Sequence, residues 1–585
     1  MSDCLESRER PRLGRHGAVL GILLLGLLSS GGCAATRDHN EYIADAYASF
    51  RSGRFDQAAK ALAEDKQNEL DGLCFIFDTA MVRYVQGEWK ASIREFATAK
   101  RKMGGYDDRA EVSVRDIAQT SSSFLVNEKT VPYKGEDFER VLLPCFQARN
   151  YFMMGDVDGA AVEARRCINQ QKLVKKKYEV ELAAAKKEAR KQKKEAPGAS
   201  TKSYFSTIQK KCRVPQKYLS GPQNIYTIAF VDYVTAVMLE AQQDFEGART
   251  FYGRAHRILP TSRLIQQDLI AINQRCGYAD DAQKFAEQFG LPLIPDGAAS
   301  LIVLYDSGEA PIKYEESILF PTGDFGFQKF ALPYYQAVPN PAGAVRLSAG
   351  PVSVQSETLS SIEQIAFRYF NDRLPLITAK AVIRVIAKIV TQKVAGAAGD
   401  AAGRSVGGWE GLLISVGSKI GSSLVLSATE QADLRAWRTL PQTLQVARIY
   451  MEPGRWPLEL SLLSNGGGTI VSKPLGFGSL KPGGLEIINV RSVGTNFWGA
   501  GSPGLNLGPD GPPAPAGMEA PGLEGRPVES GGGAGGASSS SDTAPMDSAP
   551  ADNPPADNPP APSEDPAGPP PAPDDDMGPP GFPGE

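Results

Sequence analysis

The chain has three histidines in 585 residues, His16, His39 and His256. No other side chain titrates near neutrality without being perturbed, so imidazole-based acid–base or metal chemistry has little to draw on. One string has the form of a nucleophile elbow, Gly403-Arg404-Ser405-Val406-Gly407. That motif needs a strand-to-helix turn and a histidine later in the chain. Helical patterns flank the string on both sides and no histidine follows Ser405, so it reads as a chance match. Gly476-Phe477-Gly478 lacks the third glycine of a dinucleotide fingerprint, and neither a P-loop nor a zincin motif is present. The seven cysteines include no pair two residues apart, which argues against a zinc knuckle or a thioredoxin-like site. The carboxylates follow no pattern that would pair them for acid–base work. The expectation is a protein that is not an enzyme and needs no cofactor and no metal.

The N-terminus carries the most specific signal. Arg8, Arg10, Arg12 and Arg15 precede an apolar run from Gly17 to Leu28, and Ser29-Ser30-Gly31-Gly32-Cys33 follows. A run this short suits the hydrophobic region of a signal peptide better than a bilayer span of about 20 residues. The small residues before Cys33 resemble a bacterial lipobox, in which the cysteine thiol is acylated before cleavage. Ser30 stands where that pattern prefers leucine, and the alternative is an ordinary secretory signal. By the same resemblance, Ala34 in place of aspartate directs the protein to the outer membrane, lipid-anchored on its periplasmic face. Residues 1–32 are therefore read as the signal peptide and Cys33 as the lipidation site. Of the other cysteines, Cys4 leaves with the signal, and the remaining five are expected mainly as small buried hydrophobes.

Behind the anchor lies a repeat. A turn residue, an aromatic or apolar residue, and a small residue five places after the turn recur together. The units are Gly53/Ala58, Gly87/Ser92, Gly155/Ala160, Gln243-Asp-Phe245-Glu-Gly-Ala248 and Gly277/Ala282. The turn positions are 34, 68, 88 and 34 residues apart. Glycine reverses the chain between antiparallel helices, and the small residue lets them approach, with Ala80, Ala148 and Ala236 opposite. These units resemble tetratricopeptide repeats, whose period is about 34 residues. The period breaks over 105–135, and again over 171–217, where 15 Lys and Arg face four Glu. That Lys-rich insertion is either a basic arm for a polyanion or a solvated loop.

From 297 the apolar period shortens to two. Short β runs surround two helical stretches, Ser361–Ala398 and about Glu410–Trp437, that form a hairpin. The hairpin carries Lys380, Arg384, Lys388 and Lys393 on its first arm, and Gly417 and Gly421 on its second. Charges at mid-span favour a hairpin covering the sheet over one that inserts in a membrane. From 499 the chain is Pro, Gly, Ala, Ser and Asp with one base, Arg526, a composition that cannot offset ordering entropy. The fold class is mainly α. A tetratricopeptide-type α-solenoid spans 33–296, an α+β domain (antiparallel sheet or sandwich with the hairpin) spans 297–498, and a disordered tail spans 499–585.

Several stretches carry a wider resemblance. They are Pro132-Tyr-Lys-Gly135-Glu-Asp-Phe138-Glu-Arg-Val141, Ala148-Arg-Asn150-Tyr151, Ala164-Arg165-Arg166, Asn371-Asp-Arg-Leu-Pro375, and Ala428-Thr-Glu-Gln-Ala-Asp433 with Trp437, Leu440 and Pro441. Over about 33 to 465 the chain is similar to a family of bacterial tetratricopeptide lipoproteins with no assigned reaction. The resemblance implies location and architecture only. The functional expectation is a lipid-anchored periplasmic scaffold that binds a partner protein in the cell envelope through its solenoid, with no nucleic acid. The alternative is a structural envelope protein whose C-terminal domain engages membrane or wall while the repeats act as a spacer. Replacing Cys33 with serine should release the chain from the membrane fraction or block its processing. A processed Cys33→Ser chain that still sediments with membranes would exclude acylation as the anchor.

Overall fold

The computed structural model describes residues 39–63, 70–117, 129, 131–195, 207–208, 210–222, 225–321, 327–380 and 431–508. Cys33, the signal peptide, most of the expected hairpin, the Gly403–Gly407 string and the tail lie outside the described residues. No helix among the described residues is long and apolar enough to cross a membrane.

Ten helices form five antiparallel pairs. They are α1 (Ala44–Arg51) with α2 (Phe55–Ala63), α3 (Gly72–Gln86) with α4 (Trp89–Ile117), α5 (Asp137–Met153) with α6 (Val157–Glu195), α7 (Ala229–Ala241) with α8 (Phe245–Ile258), and α9 (Arg263–Arg275) with α10 (Ala279–Phe289). Each pair turns on a residue in the left-handed region: Gly53, Gly87, Gly155 and Gly277 at φ of 75°, 86°, 81° and 82°. Gln243 takes the same conformation at 66°, which costs an ordinary residue the steric strain that glycine avoids. Ala58, Ser92, Ala160, Ala248 and Ala282 are fully buried, as are Ala80, Ala148 and Ala236 opposite. At Ser92 the hydroxyl donates to the Ala80 carbonyl at 2.8 Å and accepts from Asn150 Nδ2 at 2.8 Å. Where the period breaks, α4 continues to Ile117, and 131–136 is non-helical chain with Tyr133 N bonded to the Leu70 carbonyl.

Eleven strands follow: β1 (Ala299–Ser307), β2 (Ile312–Pro321), β3 (Phe327–Gln336), β4 (Ala342–Ala349), β5 (Val352–Gln355), β6 (Glu357–Ser361), β7 (Thr443–Met451), β8 (Gly454–Ser464), β9 (Thr469–Leu480), β10 (Leu485–Val493) and β11 (Asn496–Gly501). Helix α11 occupies 362–380. The sheets are β11-β10-β1-β7-β6, β5-β4-β8-β9 and the hairpin β2-β3. The expected sheet is not wholly antiparallel, because β1 pairs with β10 in parallel. The α+β region also runs past 498, through β11 to a bridge between Gly508 and Phe477.

Strand β1 is buried on both faces, and its period of two sorts its neighbours. Leu301, Val303 and Tyr305 meet Val345, Leu347 and Leu460 of the second sheet, forming the sandwich core. Ile302 and Leu304 face the helices and share a core with Phe146, Phe230 and Val234. The helix-facing side of this sheet is also polar. Arg149 of α5 donates to Asp306 at 2.8 Å and to Asn489 at 2.9 Å. Arg448 of β7 donates to Glu240 of α7 at 2.7 Å and to Tyr252 of α8 at 2.7 Å. Tyr450 donates to Asp268 of α9 at 2.8 Å. The array and the sheets thus share one interior.

Removing one partner of a fully buried pair strands the other charge, at a cost of about 3–5 kcal/mol. Arg448→Met should therefore lower the midpoint of thermal unfolding sharply. Adding Glu240→Gln to it should restore part of the loss. An unchanged midpoint for Arg448→Met would mean that the array does not lean on this joint.

Candidate functional site

The inner side of the array is occupied by the chain itself. Residues 431–438 are not helical, which corrects the helix expected to reach Trp437. The reason is long-range: hydrogen-bond partners hundreds of residues away capture the backbone that a helix would use internally. Trp437 N donates to Glu139 Oε1 at 2.7 Å, across 298 residues. Thr439 donates through N and Oγ1 to Asp78 Oδ1 at 2.9 and 2.8 Å. Arg435 reaches the Leu70 and Val131 carbonyls at 3.0 and 2.9 Å. The Trp437 ring stacks on Phe77 at 4.8 Å and meets Phe96 and Phe146 edge-on. An extended strap, Gln431 to Leu440, is thus seated among α1, α3, α4 and α5.

Where the strap enters, a cleft of about 540 Å³ opens. Its walls are the start of α5, the middle of α6, the β2-β3 hairpin, α11 and the strap. Three stretches that carry the family resemblance meet here: Pro132–Asp137, Arg373 of the Asn371–Pro375 stretch, and Gln431–Asp433. Lys313 donates to Glu136 and to the Arg435 carbonyl. Arg373 bridges Asp137 Oδ2 at 2.5 Å and Glu181 Oε2 at 2.9 Å. Burial by itself would lower the Lys313 pKa, but Glu136, Tyr335, Asp433 and Glu139 together outweigh it and hold the ammonium charged well above its ordinary range. Burial pushes Asp137 up against the pull of Arg373. Tyr335, opposite Lys313 in the β2-β3 register, is 4% exposed, and its hydroxyl has no partner among the described residues. Aromatic walls and buried charges of both signs make a surface for a polar, mixed-charge ligand.

The residues expected from the repeat signature lie elsewhere. Ala58, Ser92, Ala160, Ala248 and Ala282 sit in helix contacts, and Gly53, Gly87 and Gly277 sit in turns. Gly155 and Phe245 border a second cavity of about 300 Å³ with Glu240, Arg275 and Glu486. The cleft residues Glu136, Asp137, Lys313, Arg373 and Arg435 were not singled out for a site by spacing, because they come from four separate segments. Five cysteines in the described residues are free thiols, four of them buried. Among the described residues, no group of three or more His, Cys, Asp or Glu is placed to hold a metal ion.

No family model matches the chain, and no curated protein is significantly similar to it. The solved structures that resemble parts of it include two repeat proteins. The TPR2AB domain of yeast Sti1, in a pHSP90 complex, is 14% identical over 42% of this chain and 88% of its own, with a TM-score of 0.17. A tetratricopeptide repeat protein from Parabacteroides merdae is 10% identical over 44% of this chain and 81% of its own, with a TM-score of 0.19. The described residues form an array of helix pairs joined to an α+β region.

Glu139 gives the strap a pH signature. Burial and the neighbouring Glu136 push its carboxyl up to about 7, against Lys313 and the donors Trp437 N and Tyr133. The native state therefore holds a proton that the unfolded chain, with an ordinary value near 4.5, has released. Its contribution to stability is present in acid and is lost as pH rises through about 7. Glu139→Gln, which keeps the neutral form, should gain on the parent protein by up to about 3 kcal/mol between pH 5 and 8. Parallel stability profiles would place the ionisation outside this window.

Proposed function

We propose that this protein is a lipid-anchored scaffold of the outer membrane's periplasmic face, which binds a partner protein in the cell envelope and catalyses no reaction. The signal-like N-terminus and Cys33 support the location, and the helical repeats support the binding role. Repeat arrays usually present a concave face to their ligands. Here the strap and the sheet fill that face, so the partner is met at the cleft. The observation that carries this reading is the convergence of three family-like stretches on one cleft with aromatic walls and charges of both signs. A volume of about 540 Å³ is in the range of pockets that enclose a small ligand or a few side chains of a peptide. The recognised element is therefore a short polar segment of the partner. The spacer alternative fits less well, because an array wrapped on the sheet cannot hold that sheet at a distance.

Photo-crosslinking in living cells tests the site. A crosslinking residue placed at Lys134 or Gln431, on the cleft, should trap one discrete envelope protein. The same residue at Lys90, exposed on α4, should not. Equal adducts at all three positions, or none at either cleft position, would overturn the assignment.

A further inference from the structure

Helix α6 is 39 residues long, more than twice the 17 of its partner α5. Its second half leaves α5 and lies against α11. Tyr178 and Leu182 pack on Leu376 and Ala379, and Tyr178 hydrogen-bonds the Asp372 carbonyl. Val174, buried at 2% exposure, continues this inward stripe. At about 100° per residue, the opposite face carries Val162, Leu173 and Val180 in one line. They are 44%, 60% and 59% exposed, the last two among the most exposed large apolar side chains of the described residues. The line is about 27 Å long at 1.5 Å per residue. Exposed lysines Lys172, Lys176 and Lys187 run beside it, with Asp158 and Glu179 as nearby exposed carboxylates. A helix that buries one stripe and shows solvent a second apolar stripe has a surface still to be covered.

We propose that this outer face of α6 docks on an anionic lipid bilayer, with Leu173 and Val180 entering the headgroup–acyl boundary and the lysines meeting lipid phosphates. The two halves of the argument exclude the other occupants. A second copy of α6 would satisfy the apolar line but bring its lysines against their like. The acidic stretch after 508 would answer the lysines, but its Pro, Gly, Ala, Ser and Asp composition offers little to cover leucine and valine. An anionic bilayer supplies both negative charge and apolar depth, which is how interfacial basic helices bind. The surface is distinct from the cleft and does not depend on acylation of Cys33.

The test uses the chain from residue 33 onward with Cys33→Ser, so that no acyl group contributes, and sedimentation with vesicles. Vesicles of phosphatidylglycerol and phosphatidylcholine should bind it, and pure phosphatidylcholine should bind it at least tenfold more weakly. The triple variant Lys172→Gln, Lys176→Gln, Lys187→Gln should lose about fivefold per lysine at low salt, and the loss should shrink as salt rises and screens the charges. Leu173→Ser with Val180→Ser should lose about tenfold or more at every salt concentration. All these side chains are exposed, so the melting temperature of each variant serves as a control and should not move. Equal binding by the parent and both variants would overturn the proposal. So would self-association of the parent chain that Leu173→Ser abolishes, since that would assign the stripe to a second copy.

Discussion

Two guanidinium groups with no solvent exposure, Arg149 and Arg448, fix the repeat array to the sheet. Apolar packing alone is tolerant of small slides, because one methyl against another is much like the next. A buried guanidinium is not tolerant. Arg149 needs Asp306 and Asn489 on adjacent strands, and Arg448 needs Glu240, Tyr252 and Ser300 on three different elements. A slip of one residue in β1 or β7 would turn Asp306 or Arg448 to the sandwich side, which is mainly apolar and, among the described residues, holds no buried counter-charge for them. The cost of desolvating these charges is therefore the source of the register. Arg448 illustrates the balance: burial opposes its charge, and Glu240, Tyr252, Tyr450 and Asp268 together more than restore it.

With the register set, the strap follows. Trp437 enters an aromatic box of Phe77, Phe96 and Phe146, the apolar anchor that offsets two costly carboxylates. Asp78 and Glu139 are buried, at 2% and 1% exposure, and burial pushes them up to about 6 and about 7. Each is kept because it satisfies backbone donors of a segment that has no helix or sheet to satisfy them. The strap lies where a repeat protein would hold a foreign peptide, supported by side chains of the kind such grooves use. The concave surface is thus spent on the protein's own architecture, and the cleft is what stays open beside it.

The helix pairs and most strands were legible in the sequence because their signals are local. A turn residue at 53, 87, 155, 243 or 277 needs a left-handed backbone whatever surrounds it, and the period of two in Ser300–Tyr305 or Gln442–Met451 needs only two faces. The strap was not legible. Ala432-Asp-Leu-Arg-Ala-Trp437 has the composition of a helix, and the carboxylates that unwind it stand 298 and 361 residues earlier. The parallel pairing of β1 with β10 was hidden for the same reason, since eight strands, β2 to β9, intervene between the partners Ser300 and Leu485. The cleft was half visible. Its segments stood out by resemblance, but that Glu136, Lys313, Arg373 and Arg435 share one wall is a property of the fold.

The cleft is also where the polar interior reaches the surface. In the pairs of Lys313 with Glu136, and of Arg373 with Asp137 and Glu181, Lys313 and Asp137 are buried while Glu136, Arg373 and Glu181 keep part of their surface in water. Covering such pairs with an apolar partner would complete their desolvation without return, which penalises binding. Covering them with a segment that offers its own carboxylates, amines or backbone groups replaces the water that leaves. The lone Tyr335 hydroxyl adds the same demand at the back of the cavity, since a buried hydroxyl without a partner costs free energy that a ligand group can recover. What the cleft would accept thus follows from its own ion pairs, Lys313 with Glu136 and Arg373 with Asp137, which are separate from the Arg149 and Arg448 pairs that set the register.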